Sequence, residues 1–241
     1  MSKAYVRNIF DAFPAAPPAH VNAHAWPLVI PPLSGSDSFT FFSVAEIRHG
    51  GAALKDAHKD ADHVYFILSG RGYSIIEGER FEYKPNDALW IPGNLVHEMY
   101  PIGTETLRFA VSLTPGPGSK TAFRPTKPFV KSVSDVEPVC PPKHENTSSY
   151  PLVTPKNGGS DSIEYYITEI RPGGAALKDV HENEDHVYFF LSGSGESVIA
   201  GEKLEFGAFD ALFIPRNTEH EMRPVGEETL RFIVTFGPAR K

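Results

Sequence analysis

The chain has 241 residues, a net charge of −7 with its histidines neutral, 41% hydrophobic residues and 12% aromatic residues. This is the composition of a globular protein, and an acidic balance without any Lys/Arg cluster argues against nucleic acid or an anionic membrane as partner. The one cysteine, Cys140, excludes an intramolecular disulfide; with no apolar leader and no run of about 18 apolar residues, the expected location is cytoplasmic.

Residues 1–21 are rich in Pro and Ala and read as an N-terminal arm that packs across a barrel or a neighbouring subunit. From residue 22 the signals are those of short strands. HVYFILSG, starting at His63, is β-branched and aromatic and ends at Gly70. YSIIEGERFEY reads as a hairpin bending at Gly78. DALWIP is an apolar strand closed by Pro92, and TLRFAVSL alternates with the period of a strand. Residues 116–145 are Pro-rich and read as an extended connector. The strand signals then return as HVYFFLSG from His186, ESVIAGEKLEF with its bend at Gly201, DALFIP and TLRFIVTF. No window holds a convincing amphipathic helix.

This return is a duplication. Between Glu46–Pro115 and Glu169–Pro238, 43 of 70 positions are identical without a gap. Upstream, NAHAWPLVIP from Asn22 aligns with NTSSYPLVTP from Asn146 at an offset larger by one residue. The expected organisation is an arm (1–21), a first unit (22–115), a connector (116–145) and a second unit (146–241). The expected class is all-β, a sandwich or barrel in each unit.

The same polar set occurs in both units. Asp56, His58, His63 and His97 recur 123 residues later as Asp179, His181, His186 and His220, each set reading D-x-H-x4-H followed by a distant His. Imidazole and carboxylate are common ligands of divalent transition metals. A lone His in a strand is more often a packed or surface residue than a ligand, but retention of the whole set in both copies points to two metal sites. Residues two apart on a strand share a face. Asp56 and His58 are therefore expected to point the same way, as are His63 and Tyr65. Tyr65 and Tyr188 then face the interior two residues beyond a ligand, either as acid/base or substrate contacts or as packed rings with bonded hydroxyls. Arg48, Arg108, Arg171 and Arg231 are expected in surface salt bridges.

These residues resemble a duplicated member of the cupin superfamily, a bicupin. The first cupin motif, G-x5-H-x-H-x3–4-E-x6-G, is bracketed by Gly51 and Gly70 and by Gly174 and Gly193. Pro92 with His97, and Pro215 with His220, carry the P-x4-H of the second motif. The pattern departs where His63 and His186 take the family's Glu position and Asp56 and Asp179 take its first His position. Asn94 and Asn217 replace a motif glycine. An E-x-H-x3-H arrangement is similar in ureidoglycine aminohydrolases, also bicupins.

The resemblance implies two tandem jelly-roll barrels and a metal-dependent enzyme acting on a small polar metabolite. Fe or Mn is the favoured ion for three imidazoles and a carboxylate, with Zn, Ni and Cu also compatible. Oxygen-dependent cleavage by a dioxygenase is the expected chemistry. A lyase or aminohydrolase, and a non-enzymatic small-molecule-binding cupin, are the alternatives. Asp56 and Asp179 could ligate directly, bind through water or orient a ligand. The expected partner is a small-molecule substrate, with no nucleic acid and no membrane, and homodimer formation stays open.

Overall fold

The computed structural model of the chain describes residues 2–115 and 126–239. Of the expected connector, residues 116–125 lie outside the described residues. A short strand β1 (Tyr5–Asn8) precedes a first set of strands: β2 (His20–Val29), β3 (Phe41–Asp56), β4 (Asp62–Ser69), β5 (Arg71–Ile76), β6 (Glu79–Tyr83), β7 (Asp87–Ile91), β8 (His97–Ile102) and β9 (Leu107–Thr114). After β10 (Phe129–Ser132) the pattern repeats as β11 (His144–Val153), β12 (Glu164–Asp179), β13 (Asp185–Ser192), β14 (Ser194–Ile199), β15 (Glu202–Phe206), β16 (Asp210–Ile214), β17 (His220–Val225) and β18 (Leu230–Gly237).

Two nine-stranded antiparallel sheets result, each curled into a jelly-roll barrel. Their orders are β10-β7-β4-β9-β3-β8-β5-β6, with β2 on β3, and β1-β16-β13-β18-β12-β17-β14-β15, with β11 on β12. The 16-residue β3 bends around its barrel. Its first half pairs with β9 from Phe41↔Leu113 to Ile47↔Leu107, and its end pairs with β8 at Ala53↔Met99 and Asp56↔His97. The glycines ending β4 and β13 are required by geometry. Gly70 and Gly193 have φ of 74° and 76°, and a Cβ there would lie 2.6–2.7 Å from the carbonyls of Thr106 and Thr229.

The arm and the connector exchange places. β1 pairs with β16 of the C-terminal barrel, Tyr5 opposite Phe213, and β10 pairs with β7 of the N-terminal barrel, Phe129 opposite Trp90. Each barrel's sheet is thus extended by the segment that leads into the other. YVRNIFDAFPA from Tyr5 and FVKSVSDVEPV from Phe129 are counterparts under the repeat, with identities only at Val, Asp and Pro.

The apolar runs in β4 and β13 reflect burial on both faces. Tyr65 and Ile67 pack inside the first barrel. Val64 and Phe66 face a core between the barrels that also holds Phe42, Trp90, Tyr165, Phe189 and Phe213. The ring pairs Phe42–Phe189, at 5.9 Å, and Phe66–Tyr165, at 6.4 Å, are images of each other under the repeat. This shared core makes the two units one packed body.

Candidate metal centres

Three segments deliver the ligands of each site. His63 is the second residue of β4, paired between Ile91 and Leu113. His97 opens β8, opposite Asp56 and Ile76. His58 lies in the turn between β3 and β4, because β3 ends at Asp56. The strand expected to align Asp56 with His58 thus stops at Asp56, yet the two side chains still point the same way, with Asp56 Oδ2 3.8 Å from His58 Nε2; beyond His58 the chain turns at Asp60, whose φ is 52°. Asn94 holds this turn. Its N–H donates to the His58 carbonyl at 2.8 Å and its amide pairs with Asp60. Asn217 likewise donates to the His181 carbonyl at 2.7 Å. Asn94 and Asn217 have φ of 69° and 59°, and Asn tolerates the left-handed region best after Gly, which accounts for its place at a glycine position.

The donor nitrogens of His58, His63 and His97 lie within 4.8 Å of one another, as do those of His181, His186 and His220. Two ligands bound at about 2.1 Å reach roughly 4 Å across one ion, so the spacing of each triad fits a single divalent metal that the three nitrogens could hold. The sites match closely: ring centroids are 4.5, 5.5 and 5.2 Å apart in the first and 4.4, 5.5 and 5.1 Å in the second. Nδ1 of His97 meets the Leu95 carbonyl at 2.9 Å and Nδ1 of His220 meets the Thr218 carbonyl at 2.9 Å. A proton held on Nδ1 leaves the Nε2 lone pair for a metal. Burial, reinforced by the charges of His97 and His58, holds the pKa of His63 well below its usual value. Burial also lowers His97 and His220, against the opposing pull of their carbonyl bonds. Neutral buried imidazoles are the form a metal requires.

The aspartates lie outside both donor groups. Asp56 Oδ2 is 3.8 Å from His58 Nε2, and Asp179 Oδ2 is 3.8 Å from His181 Nε2. Asp179 also accepts from Lys143 Nζ at 2.6 Å and from the Val180 N–H at 2.9 Å. Against the upward push of burial, these bonds hold its carboxyl below the usual carboxylate range. Asp179→Asn is expected to weaken metal binding at the C-terminal site about 10-fold, the scale of a residue that orients a ligand. Titration with Mn(II) checks it, and complete loss of binding would make the aspartate a direct ligand.

Tyr188 joins its hydroxyl to His186 Nδ1 at 3.0 Å. Tyr65 packs its ring 5.3 Å from His63, and burial raises its hydroxyl pKa above the usual value. Arg48 and Arg108 bind Glu46, and Arg231 binds Glu169, away from the donors. The C-terminal triad opens into a cavity of about 390 Å³, lined also by Asp179, Tyr188, His144, Tyr166, Cys140 and the apolar Met222, Phe232, Val234 and Phe236. His144 was not singled out in the sequence, yet it lies in P-P-K-H-E-N, which repeats P-P-A-H-V-N around His20. Both imidazoles are held the same way, Nδ1 against the carbonyl two residues back, Pro18 at 2.6 Å and Pro142 at 2.8 Å. The mouths differ in charge: Lys143 in the second barrel corresponds to Ala19 in the first.

The family model for the cupin domain matches residues 43–113 and 166–236, which together are more than half of the chain. The chain belongs to the cupin family. This tandem cupin aligns at 26% identity over 106 residues with polyketide synthase CurC of Streptomyces cyaneus, covering 44% of the chain and 69% of that protein. An uncharacterized protein of Methanocaldococcus jannaschii is 34% identical over 59 residues; the match covers 24% of the chain and spans 47% of that protein's length. Among solved structures the bicupin superposes on protein Ylba from E. coli with a TM-score of 0.78 and 13% identity, covering 100% and 93% of the two chains. A putative glyoxylate induced protein from Pseudomonas aeruginosa gives 0.80 and 18%, covering 99% and 89%. A Bacillus subtilis oxalate decarboxylase variant gives 0.75 and 14%, covering 100% and 78%. At these identities the superpositions establish the fold, and both histidine groups of this cupin could bind a divalent metal. Among the described residues no helix is long and apolar enough to cross a membrane.

Proposed function

We propose that the protein is a metal-dependent bicupin enzyme that carries out oxygen-dependent cleavage of a small polar metabolite, with the C-terminal barrel as its main reaction chamber. The observation that carries this reading is the His181–His186–His220 triad lining the 390 Å³ cavity, with its carboxylate drawn aside to Lys143. Three protein ligands would leave positions on a bound ion open for substrate and oxygen. Bound there, Fe(II) or Mn(II) would supply the redox chemistry toward dioxygen, and Mn(II) centres are described for the structurally similar Bacillus subtilis oxalate decarboxylase.

The chain's own groups supply the rest. Phe232, Val234 and Phe236 give the chamber an apolar wall. Tyr188, tied to His186, offers a hydroxyl for orienting a polar substrate. His144 presents a fourth imidazole to the cavity, held by the Pro142 carbonyl, as a substrate contact or proton carrier. A second reading has the metal act as a Lewis acid for a lyase or an aminohydrolase, and the likeness to oxalate decarboxylase supports its lyase form.

The deciding experiment uses protein loaded with Fe(II) or Mn(II) and a panel of small carboxylates, ureides and enediols. Oxygen uptake stoichiometric with substrate loss is the expected result. Equal turnover in strictly anaerobic buffer would replace the dioxygenase with the lyase or aminohydrolase. The cytoplasmic location and the absence of a nucleic-acid or membrane partner remain part of this proposal.

A further inference from the structure

Each barrel reaches across the shared core and grips the residue immediately before the partner barrel's central ligand. Asp62 precedes His63 and Asp185 precedes His186, and both carboxylates are buried. Asp62 Oδ2 accepts from the hydroxyls of Ser160, at 2.5 Å, and Ser162, at 2.6 Å, both from the second repeat. Asp185 Oδ2 accepts from Ser36, at 2.5 Å, and Ser38, at 2.8 Å, both from the first. The donors are counterparts: Ser36-Asp37-Ser38 and Ser160-Asp161-Ser162 occupy equivalent places in the two repeats.

The other carboxylate oxygen points into the aspartate's own barrel. Asp62 Oδ1 accepts from the Gly93 N–H at 2.8 Å, and Asp185 Oδ1 accepts from the Arg216 N–H at 2.9 Å. Those residues open the turns that lead to His97 and His220, and through Asn94 and Asn217 the same turns hold the carbonyls of His58 and His181. One carboxylate therefore links the partner barrel's serines to all three ligand-bearing segments of its own. Without the serine hydroxyls Asp62 keeps, among the described residues, the Gly93 N–H, whereas Asp185 also keeps the Arg216 guanidinium, whose Nε and Nη2 donate to it at 3.1 Å each. A buried carboxylate that loses donors is costly, so removing the hydroxyls moves it and the backbone beside the ligand, more at Asp62 than at Asp185.

We propose that Asp62 and Asp185 are positioning residues through which each barrel sets the metal-binding geometry of the other. The proposal rests on the reading of the two triads as metal sites. It predicts an effect that crosses the molecule: hydroxyls of the second repeat support the first site, and hydroxyls of the first repeat support the second.

The test uses the full chain with one site silenced at a time, either H181A with H220A or H58A with H97A, and Mn(II) as probe. Into each background go S160A with S162A or S36A with S38A, and folding is checked by near-ultraviolet circular dichroism and thermal melting. Removing Ser160 and Ser162 is expected to weaken Mn(II) at the N-terminal site about 10-fold and broaden its electron paramagnetic spectrum, with less than about 2-fold change at the C-terminal site. Removing Ser36 and Ser38 is expected to weaken the C-terminal site instead, by about 3-fold, because Arg216 still holds Asp185. If a double variant fails to fold, S162A alone retains the Ser160 bond and is expected to give the same selectivity at a smaller size, about 3-fold. Equal weakening at both sites, weakening only within the serines' own barrel, or no change would each overturn the proposal while leaving the metal reading intact. Absence of Mn(II) binding in both parental backgrounds would overturn the metal reading and the proposal with it.

Discussion

Replacing His63 with Ala lowers the metal content from about two ions per chain to about one. His63 supplies one of three donor nitrogens in a site whose aspartate stands outside the donor group, so its loss leaves two imidazoles, one of them in a turn. Two neutral ligands do not hold a divalent ion against water and chelating buffer components at micromolar concentration. The C-terminal ion stays, because His181, His186 and His220 are untouched. H186A removes the C-terminal ion instead, and the double variant binds none. His49, which bonds the Gly103 carbonyl outside both groups, is the control, and H49A leaves the count unchanged. Elemental analysis of metal-replete, gel-filtered protein reads the result. A count that stays near two in H63A would remove that residue from the site, and a count near zero in the unsubstituted protein would remove the metal reading.

The histidine positions were legible because a two-fold repeat shows which polar residues survive duplication together, and the strand period placed His63 and Tyr65 on the inner face of β4. The turn holding His58 was not legible. Strand alternation has no means of announcing its own end at Asp56, and the decisive interaction, Asn94 reaching back to the His58 carbonyl, spans 36 positions in sequence. The exchange of β1 and β10 was hidden for another reason. Four-residue strands carry almost no periodic signal, and only three positions match between Tyr5–Ala15 and Phe129–Val139. The alignment that ends at Asn22 could have been carried two residues further back to His20 and His144, which would have revealed the histidine at each mouth. The Ser-Asp-Ser pairs were visible as a repeat, but small polar residues in loops signal turns by default. Only tertiary structure shows their hydroxyls meeting carboxylates 98 to 149 residues away.

Metal-free protein is expected to lose stability as the pH falls below about 6.5. Burial lowers the pKa of His63, His97 and His220 in the folded chain, most deeply for His63, where the charges of His97 and His58 add to it. In the unfolded chain each imidazole returns to its ordinary value of 6.5. Above that pH neither state binds the proton, and these groups impose no pH dependence. Below it the unfolded chain takes up protons that the folded chain refuses, so the free energy of unfolding falls by up to about 1.4 kcal/mol per pH unit for each such group. The slope ends where the folded state begins to protonate. Bound metal adds to this dependence, since the same protons compete for the same nitrogens. Urea unfolding of chelator-treated protein between pH 8 and pH 5 measures the slope, and H63A is expected to flatten it by about one proton. Carboxylates titrate mostly below this window, so they do not mask it. A metal-free stability that is flat across the window would show that His63, His97 and His220 accept protons freely in the folded chain, against the burial that lowers their pKa.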